Sequence, residues 1–365
     1  MRILHVIDCL DGSDASGQIS LLAPALKAAG HVIEVCCIGS ADRQADALRR
    51  HRITLHVLGW TRWLDSSALW ELRRLLRAGA WDAIHVWHLP SLRAVAVVAR
   101  ECLSRVIVSS PWPERGTLNW WERRTLRLVR CIAVGGESER QRCIREGLGD
   151  VRWHAVPPAA PTAEPAAQAK GEATLRSLQK LPSNARRIVC AGRLECGRGF
   201  REAVWTADIV GHLFPDVHLL IAGSGPRQPD LAEMIHRLEI PNVHLVGDGY
   251  SLSDLLAGAD LFWAPSRVDR GRQTALEAMA LGRAVVATDV PCLRELITDG
   301  ETGCVVPPGD PVALARRTRT LLLDAERREC LGAAARAHVL EHFSLPRVAG
   351  RWLELYDDVR ASRAA

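Results

Sequence analysis

Two carboxylates, Asp269 and Glu277, stand eight positions apart, the first in a polar loop and the second just inside a helical pattern. The loop (Arg267 to Gln273) follows a short apolar run, Leu261 to Ala264, which Pro265-Ser266 ends. Helical spacing then runs from Thr274 to Leu281 and stops at Gly282. Open parallel sheets take ligands where a strand's carboxyl end passes into a helix, and the free N–H groups of the first helical turn suit phosphate. Carboxylates at this spacing can flank one elongated polar ligand, each accepting from a different set of hydroxyl donors. The same residues also fit a capped helix with two solvated carboxylates, and spacing alone leaves both readings open.

The elements around this loop repeat one plan. Ala284 to Ala287 is a continuous run of the kind buried in a parallel sheet, and Arg187 to Ala191 and Val217 to Ala222 are similar. The first half repeats it: strands at Ile3 to Ile7, His31 to Ile38, Thr54 to Leu58, Asp82 to His88, Val106 to Ser109, Cys131 to Val134 and Trp153 to Val156. Between the first two strands a loop, Asp8 to Gln18, leads into a helix ending at Ala29-Gly30; Leu69 to Leu76 reads as an arginine-bearing amphipathic helix. His85 and His88 read as core or strand-end residues more readily than as catalysts, because neutral imidazole is easily buried. Pro157 to Gln168 is rich in Pro and Ala and reads as a linker.

At 365 residues the chain has room for about two domains with separate cores. The amino terminus enters a strand pattern directly, so no signal peptide is expected, and no apolar run approaches the roughly 20 residues that span a bilayer. The 11 cysteines, odd in number and without metal-ligand spacing, read as reduced thiols of a cytoplasmic protein. Of 47 basic residues only Lys27, Lys170 and Lys180 are lysines, leaving 47 − 3 = 44 arginines. Residues 1–157 hold 22 basic and 16 acidic residues, so the net +5 of the whole chain sits in that half. Nine of the 12 tryptophans lie at or before Trp153, and Trp120 to Arg130 reads as a basic amphipathic helix. That combination suits peripheral contact with an anionic membrane at its inner face, or simply Trp packed on a sheet. No nucleic-acid motif accompanies the charge. The absence of GxGxxG argues against a dinucleotide-binding dehydrogenase, and Arg198-Gly199 replaces the Lys-Ser/Thr of a P-loop after Gly192.

The stretch Ala259 to Asp310 resembles the donor-site segment of retaining glycosyltransferases of family 4. The resemblance rests on Glu277-Ala278-Met279-Ala280, Gly282, Val285 to Asp289, Glu295, Asp299-Gly300, Thr302-Gly303 and Val306 to Asp310. Gly192-Arg193-Leu194, Arg198-Gly199 and Gly223-Ser224-Gly225-Pro226 extend it toward the amino terminus. It implies an α/β protein of GT-B fold, two doubly wound Rossmann-like domains facing across a cleft. The boundaries expected are an acceptor-side domain at 1–157, a linker at 158–185, a donor domain at 186–342 and a closing helix at 343–365 crossing back to the first domain.

The implied activity is sugar transfer from a nucleoside-diphosphate sugar to an unidentified glycan or lipid-linked acceptor, with retention. Arg193 and Arg198 would neutralise the leaving diphosphate, Asp269 would orient the sugar and Glu277 would hold the ribose. Gly271, Arg272, Gln273 and Thr274, with Gly225 and Gly247 at neighbouring strand ends, would complete the donor site. Neither a metal nor a cofactor beyond the sugar donor is expected. The chain departs from the family pattern at Asp269 (Glu is usual), Arg198 (Lys) and Pro158-Ala159 (Asn-Gly). On the acceptor side Ser110 stands where a His is usual, and the first loop offers Gly12 and Gly17 rather than a Gly pair. These departures leave open a catalytically impaired nucleotide-sugar-binding homologue, or a nucleotide-sugar epimerase.

Overall fold

The computed structural model describes residues 1–10, 14–41, 43–60, 65–109, 111–112, 116–161, 181–182 and 185–361. Two units emerge: Met1–Ala159 with Leu345–Ala365, and Ala160–Ser344.

The first unit is built on seven strands, β1 (Arg2–Ile7), β2 (Val32–Cys37), β3 (Thr54–Val57), β4 (Ala83–Val86), β5 (Val106–Ser109), β6 (Cys131–Val134) and β7 (Trp153–Ala155). Every pairing is parallel, in the order β3-β2-β1-β4-β5-β6-β7, so the direction of winding reverses between β1 and β4. Strand β1 shows why both sheet faces are covered. Its residues alternate between two cores, Ile3 and Ile7 on one side and Leu4 and Val6 on the other.

The first core takes α1 (Asp14–Ala28), α2 (Arg43–Arg50) and the last helix of the chain, Leu345–Ala361, through Ile19, Leu22, Leu48, Trp352 and Tyr356. The second takes α3 (Ser66–Ala78), α4 (Leu89–Val98), α5 (Trp120–Leu126) and α6 (Glu137–Arg145) through Leu72, Leu92, Leu126 and Cys143. Right-handed crossovers on either side of the β1/β4 reversal distribute the helices in this way.

Several elements differ from the sequence reading, each for a local reason. Helix α1 begins at Asp14, so Gly17 lies in its first turns rather than in a loop. Helix α3 starts early because the Asp65 carboxylate accepts from the N–H groups of Ser67 and Ala68. Helix α5 ends at Leu126 instead of Arg130, since the Arg130 N–H is committed to Val106 O at 2.9 Å as the chain enters the sheet. Helices α2, α4 and α6 were absent from that reading.

The second unit carries six parallel strands: β8 (Arg186–Ala191), β9 (Val217–Ala222), β10 (Val243–Gly247), β11 (Leu261–Ala264), β12 (Ala284–Thr288) and β13 (Cys304–Val306). Their order is β10-β9-β8-β11-β12-β13, and the reversal falls between β8 and β11. The connecting helices are α7 (Phe200–Leu213), α8 (Gln228–Arg237), α9 (Leu252–Ala257), α10 (Arg272–Ala280) and α11 (Pro291–Arg294), followed by α12 (Pro311–Leu323) and α13 (Ala325–His342). Helix α10 begins two residues before the expected Thr274. Phe262 and Trp263 on β11 are fully buried on opposite faces, Trp263 Nε1 donating to Thr318 Oγ1 at 2.9 Å. The final helix, Leu345–Ala361, is α14.

Candidate functional site

In a parallel sheet all carboxyl ends lie on one edge. The loops after β8, β9, β11 and β12, four adjacent strands, therefore share the edge that holds the reversal point of the second unit. Close backbone approaches lock these loops together. Gly192 (φ +138°) and Gly223 (φ +123°) touch so closely that a Cβ on Gly223 would lie 2.1 Å from Gly192 O. A Cβ on Gly225 would lie 2.5 Å from Leu194 O, and one on Gly199 1.8 Å from Pro265 O. Leu194 N–H donates to Ser224 O at 2.8 Å, and Arg267 N–H to Gly197 O at 2.7 Å. Only glycine permits both the positive φ and the contact at these points.

Arg198 occupies the middle of this knot. It is 6% exposed, and its guanidinium lies over Gly192 where a Cβ would stand 2.1 Å from Nη2. Among the described residues no carboxylate forms an ion pair with it. Beneath it the Cys190 thiol is pushed up to about 12 by burial, with the Arg198 charge opposing the shift. A buried cation without a partner anion is costly, by several kcal/mol in general. Such a site favours an anion.

Arg193 is the more exposed of the two expected arginines, at 57%, and its Nε lies 3.8 Å from the Glu195 carboxylate. Glu195 also pairs with Arg270, and Arg267 with Glu202 at 3.1 Å, so the rim of the edge is a set of arginine–glutamate pairs. Sequence spacing gave no sign of Glu195, Glu202 or Arg270, because their partners lie 65 and 75 positions away.

The amino end of α10 faces the same edge. Gly271 precedes it at φ +97°, a conformation suited to glycine, and Thr274 Oγ1 donates to Gly271 O at 3.2 Å. The first-turn N–H groups of a helix have no intrahelical acceptor. Glu277 is half-buried one turn further on, with Gln273 Nε2 donating to its Oε1 at 3.3 Å. Gly247 (φ +62°) accepts from the Gly223 N–H at 3.0 Å and closes the β10 side of the edge.

Two expected residues are engaged elsewhere through their side chains. Asp269 is exposed in the loop, and its Oδ1 accepts from the Cys292 N–H at 2.6 Å, capping the first turn of α11. Arg272 donates to Cys292 O at 3.2 Å and to the Glu295 carboxylate at 2.5 Å, which leaves its backbone N–H for the loop. Of the acceptor-side candidates, Gly12 and Ser110 lie outside the described residues. Gly17 sits within α1 with open space where a Cβ would point. Among the described residues, no group of three His, Cys, Asp or Glu side chains is placed to hold a metal ion.

In the first unit His85 is a core residue, fully buried, sharing hydrogen bonds with Tyr356 Oη at 2.8 Å and Ser109 Oγ at 2.7 Å. Burial holds its imidazole well below the ordinary His range, with the neighbouring His5 adding to the effect. His88 stands at the strand end, where its Nδ1 donates to Asp8 Oδ1 at 2.7 Å.

Comparison with known proteins follows the same division. A family model described as "Glycosyl transferases group 1" matches residues 185–324, and one described as "Glycosyl transferase 4-like domain" matches residues 17–159. The D-inositol 3-phosphate glycosyltransferase of Xylanimonas cellulosilytica is 27% identical, over 100% of this chain and 84% of its own length. The lipopolysaccharide core biosynthesis mannosyltransferase of Rhizobium meliloti is 26% identical over 76% of this chain and 84% of its own. Among solved structures, Anabaena HepE in complex with UDP and glucose superposes with a TM-score of 0.81 at 17% identity, covering 98% of this chain and 100% of that one. Sucrose-phosphate synthase of Thermosynechococcus elongatus gives 0.80 at 18% identity, covering 99% of this chain and 100% of that one. At such identities the structural likeness speaks to the fold.

Proposed function

This chain is a glycosyltransferase of the group 1, family 4-like class with the GT-B fold, and from that premise we propose that it moves a sugar from a nucleoside-diphosphate sugar to a hydroxylated acceptor, with retention. The observation that carries the proposal is Arg198, a buried guanidinium with no ion-pair partner among the described residues, set in a glycine-lined edge beside a helix amino end. A diphosphate supplies the missing anion. Arg198 takes one phosphate directly, and Arg193 at the rim meets the other. The first-turn N–H groups of α10 at Gln273 and Thr274 share the charge that grows on the leaving group.

Glu277 receives ribose hydroxyls, and the Gly225 and Gly247 loops border the nucleoside. The Anabaena relative is described with UDP and glucose bound, which supports a nucleoside diphosphate as the leaving group. Charge on the diphosphate is met by arginines and helix N–H groups, so the transfer proceeds without a metal or a further cofactor. Asp269 orients the sugar through the carboxylate oxygen that does not cap α11.

A second reading has an observation of its own. Because Asp269 already caps Cys292, its reach toward a sugar is restricted, as in a nucleotide-sugar-binding homologue that turns over slowly. Thermal-shift screening with the diphosphates of uridine, guanosine, adenosine and thymidine and their sugars, followed by assay of nucleoside-diphosphate release, separates the two. Binding with release supports the enzyme, and binding without release supports the homologue. A chain stabilised by none of them contradicts both.

The acceptor is handled by the first unit. There the α3–α6 face exposes Trp120 (71%) beside Arg124 and Trp70 (61%) beside Arg74. Trp and Arg side by side suit the headgroup layer of an anionic bilayer, the place of a lipid-linked acceptor on the cytoplasmic face. No helix among the described residues is long and apolar enough to cross a membrane. Co-flotation with phosphatidylglycerol vesicles, lost in a Trp120→Ala/Trp70→Ala double variant, is expected. Equal flotation of wild type and variant removes this face from consideration.

A further inference from the structure

The loop that carries Asp269 is tied down by each of its charged side chains. Arg267 pairs with Glu202 in the first turn of α7 at 3.1 Å, and its N–H donates to Gly197 O at 2.7 Å. Asp269 caps Cys292, and Arg272 pairs with Glu295 at 2.5 Å. Arg270, immediately before Gly271 and α10, pairs with Glu195 in the passage from β8 to α7. The loop is therefore strung between that passage and α11, and all of these residues belong to the second unit.

Glu195 serves two arginines, one from each loop. Its side chain is 19% exposed and reaches both Arg270 and, at 3.8 Å, the Nε of Arg193. A single exposed ion pair contributes little. Here the carboxylate is the inner member, and its bond to Arg270 acts beside the Arg267–Glu202 pair and the Arg267 N–H bond to Gly197 O. A shared carboxylate also couples its partners. Arg193 is the looser and more exposed of the two, so a phosphate that draws its guanidinium away leaves the Glu195 charge to Arg270.

We propose that Glu195 is a positioning residue for the sugar: it yields Arg193 to the diphosphate and, through Arg270, draws the Asp269 loop down at the amino end of α10. The assignment rests on the sugar-transfer reading above. It couples occupancy of the phosphate site to the placement of the carboxylate that orients the sugar. Asp269 is the neighbour of Arg270, so a loop that slackens at Arg270 misplaces it, and a misplacement of about 1 Å can cost on the order of 100-fold in rate. Nucleotide affinity follows the opposite sign. Without the Glu195 charge, Arg193 loses a competitor for phosphate.

The test uses the full chain and the nucleoside-diphosphate sugar that gives the largest thermal shift, with release of nucleoside diphosphate at saturating donor as the signal. Glu195→Gln and Arg270→Gln are each expected to slow release about 10-fold, and the double variant should be no slower than either. Arg270→Lys, which keeps the charge, should release within about threefold of wild type. Nucleoside-diphosphate affinity should stay within about threefold, rising rather than falling in Glu195→Gln. Hydrogen exchange adds a reading that needs no turnover: nucleoside diphosphate should slow exchange at residues 267–271 about 10-fold in wild type and leave it unchanged in Glu195→Gln. Affinity that falls together with release, single effects that multiply in the double variant, or loop exchange that nucleotide slows equally in both proteins would each overturn the assignment. For a wild type that binds nucleotide without releasing product, the exchange comparison alone decides. A wild type that binds no nucleotide would instead sink the sugar-transfer reading itself.

Discussion

Replacing Arg198 by methionine separates two consequences of burying a cation. Methionine keeps the length and the apolar stem but removes the charge that sits 6% exposed against Gly192. Without ligand the wild type carries an uncompensated guanidinium. Exchanging buried charge for well-packed apolar volume is often neutral or stabilising by about 1–4 kcal/mol. The free variant should therefore melt no lower than wild type.

With ligand the order reverses. Nucleoside diphosphate at 100 times its dissociation constant stabilises the wild type by about 2.7 kcal/mol. Losing one desolvated charge pair weakens binding by at least about 100-fold, so the same concentration then gives only about 0.4 kcal/mol. The second unit spans Ala160–Ser344, or 344 − 159 = 185 residues. At that size 1 kcal/mol moves the melting temperature by roughly 2–4 °C, so the shift should fall from about 5–11 °C to about 1–2 °C. Differential scanning fluorimetry with and without nucleotide reads both numbers. A variant that is several kcal/mol less stable when free, yet keeps the full nucleotide shift, would refute the reasoning, because Arg198 would then be a structural strut.

Asp269→Ala removes the oxygen that caps Cys292 and should cost about 1 kcal/mol of stability in a denaturant titration. Asp269→Glu should keep the nucleotide shift and not lower product release, whereas abolished release would mean that the shorter acid is matched to its sugar. Gly192→Ala should abolish the nucleotide shift, since its Cβ would displace the Arg198 guanidinium from 2.1 Å and the backbone sits at φ +138°. Acid should weaken the first unit through His5, whose imidazole is lowered to about 3 by burial. The unfolded chain binds that proton near pH 6.5 and the folded chain does not, so stability is complete above about 6.5 and is lost as pH falls toward 3. The loss at pH 5 is about 2 kcal/mol, and His5→Gln, which keeps an acceptor for Trp87 Nε1, should flatten the slope in melts between pH 7.5 and 5.

The strands were readable because buried parallel strands are continuous apolar runs, as Val189-Cys190-Ala191 and Leu261 to Ala264 illustrate. The short connecting helices were harder. Arg43–Arg50 has only Ala45 and Leu48 to offer a core, and Leu89–Val98 is apolar enough to pass for strand or loop. Arg193, Arg198 and Glu277 were expected from the family resemblance, and the structure puts each at a strand-to-helix passage of the second sheet. What each touches was not expected. Burial of Arg198 depends on glycines at 192 and 223, and the Asp269 cap depends on an N–H 23 positions later. Asp8 and His88 are 80 positions apart and meet only because β1 and β4 are neighbours across the reversal. Pairings of that kind belong to topology and leave no local pattern.

The most direct test is a crystal structure of the full chain with a bound nucleoside diphosphate. A donor site at the edge of the second sheet predicts phosphate oxygens within hydrogen-bond distance of the Arg198 guanidinium and the first N–H groups of α10, with the ribose hydroxyls on Glu277. Nucleotide bound at any other edge, with Arg198 still facing no anion, would contradict it.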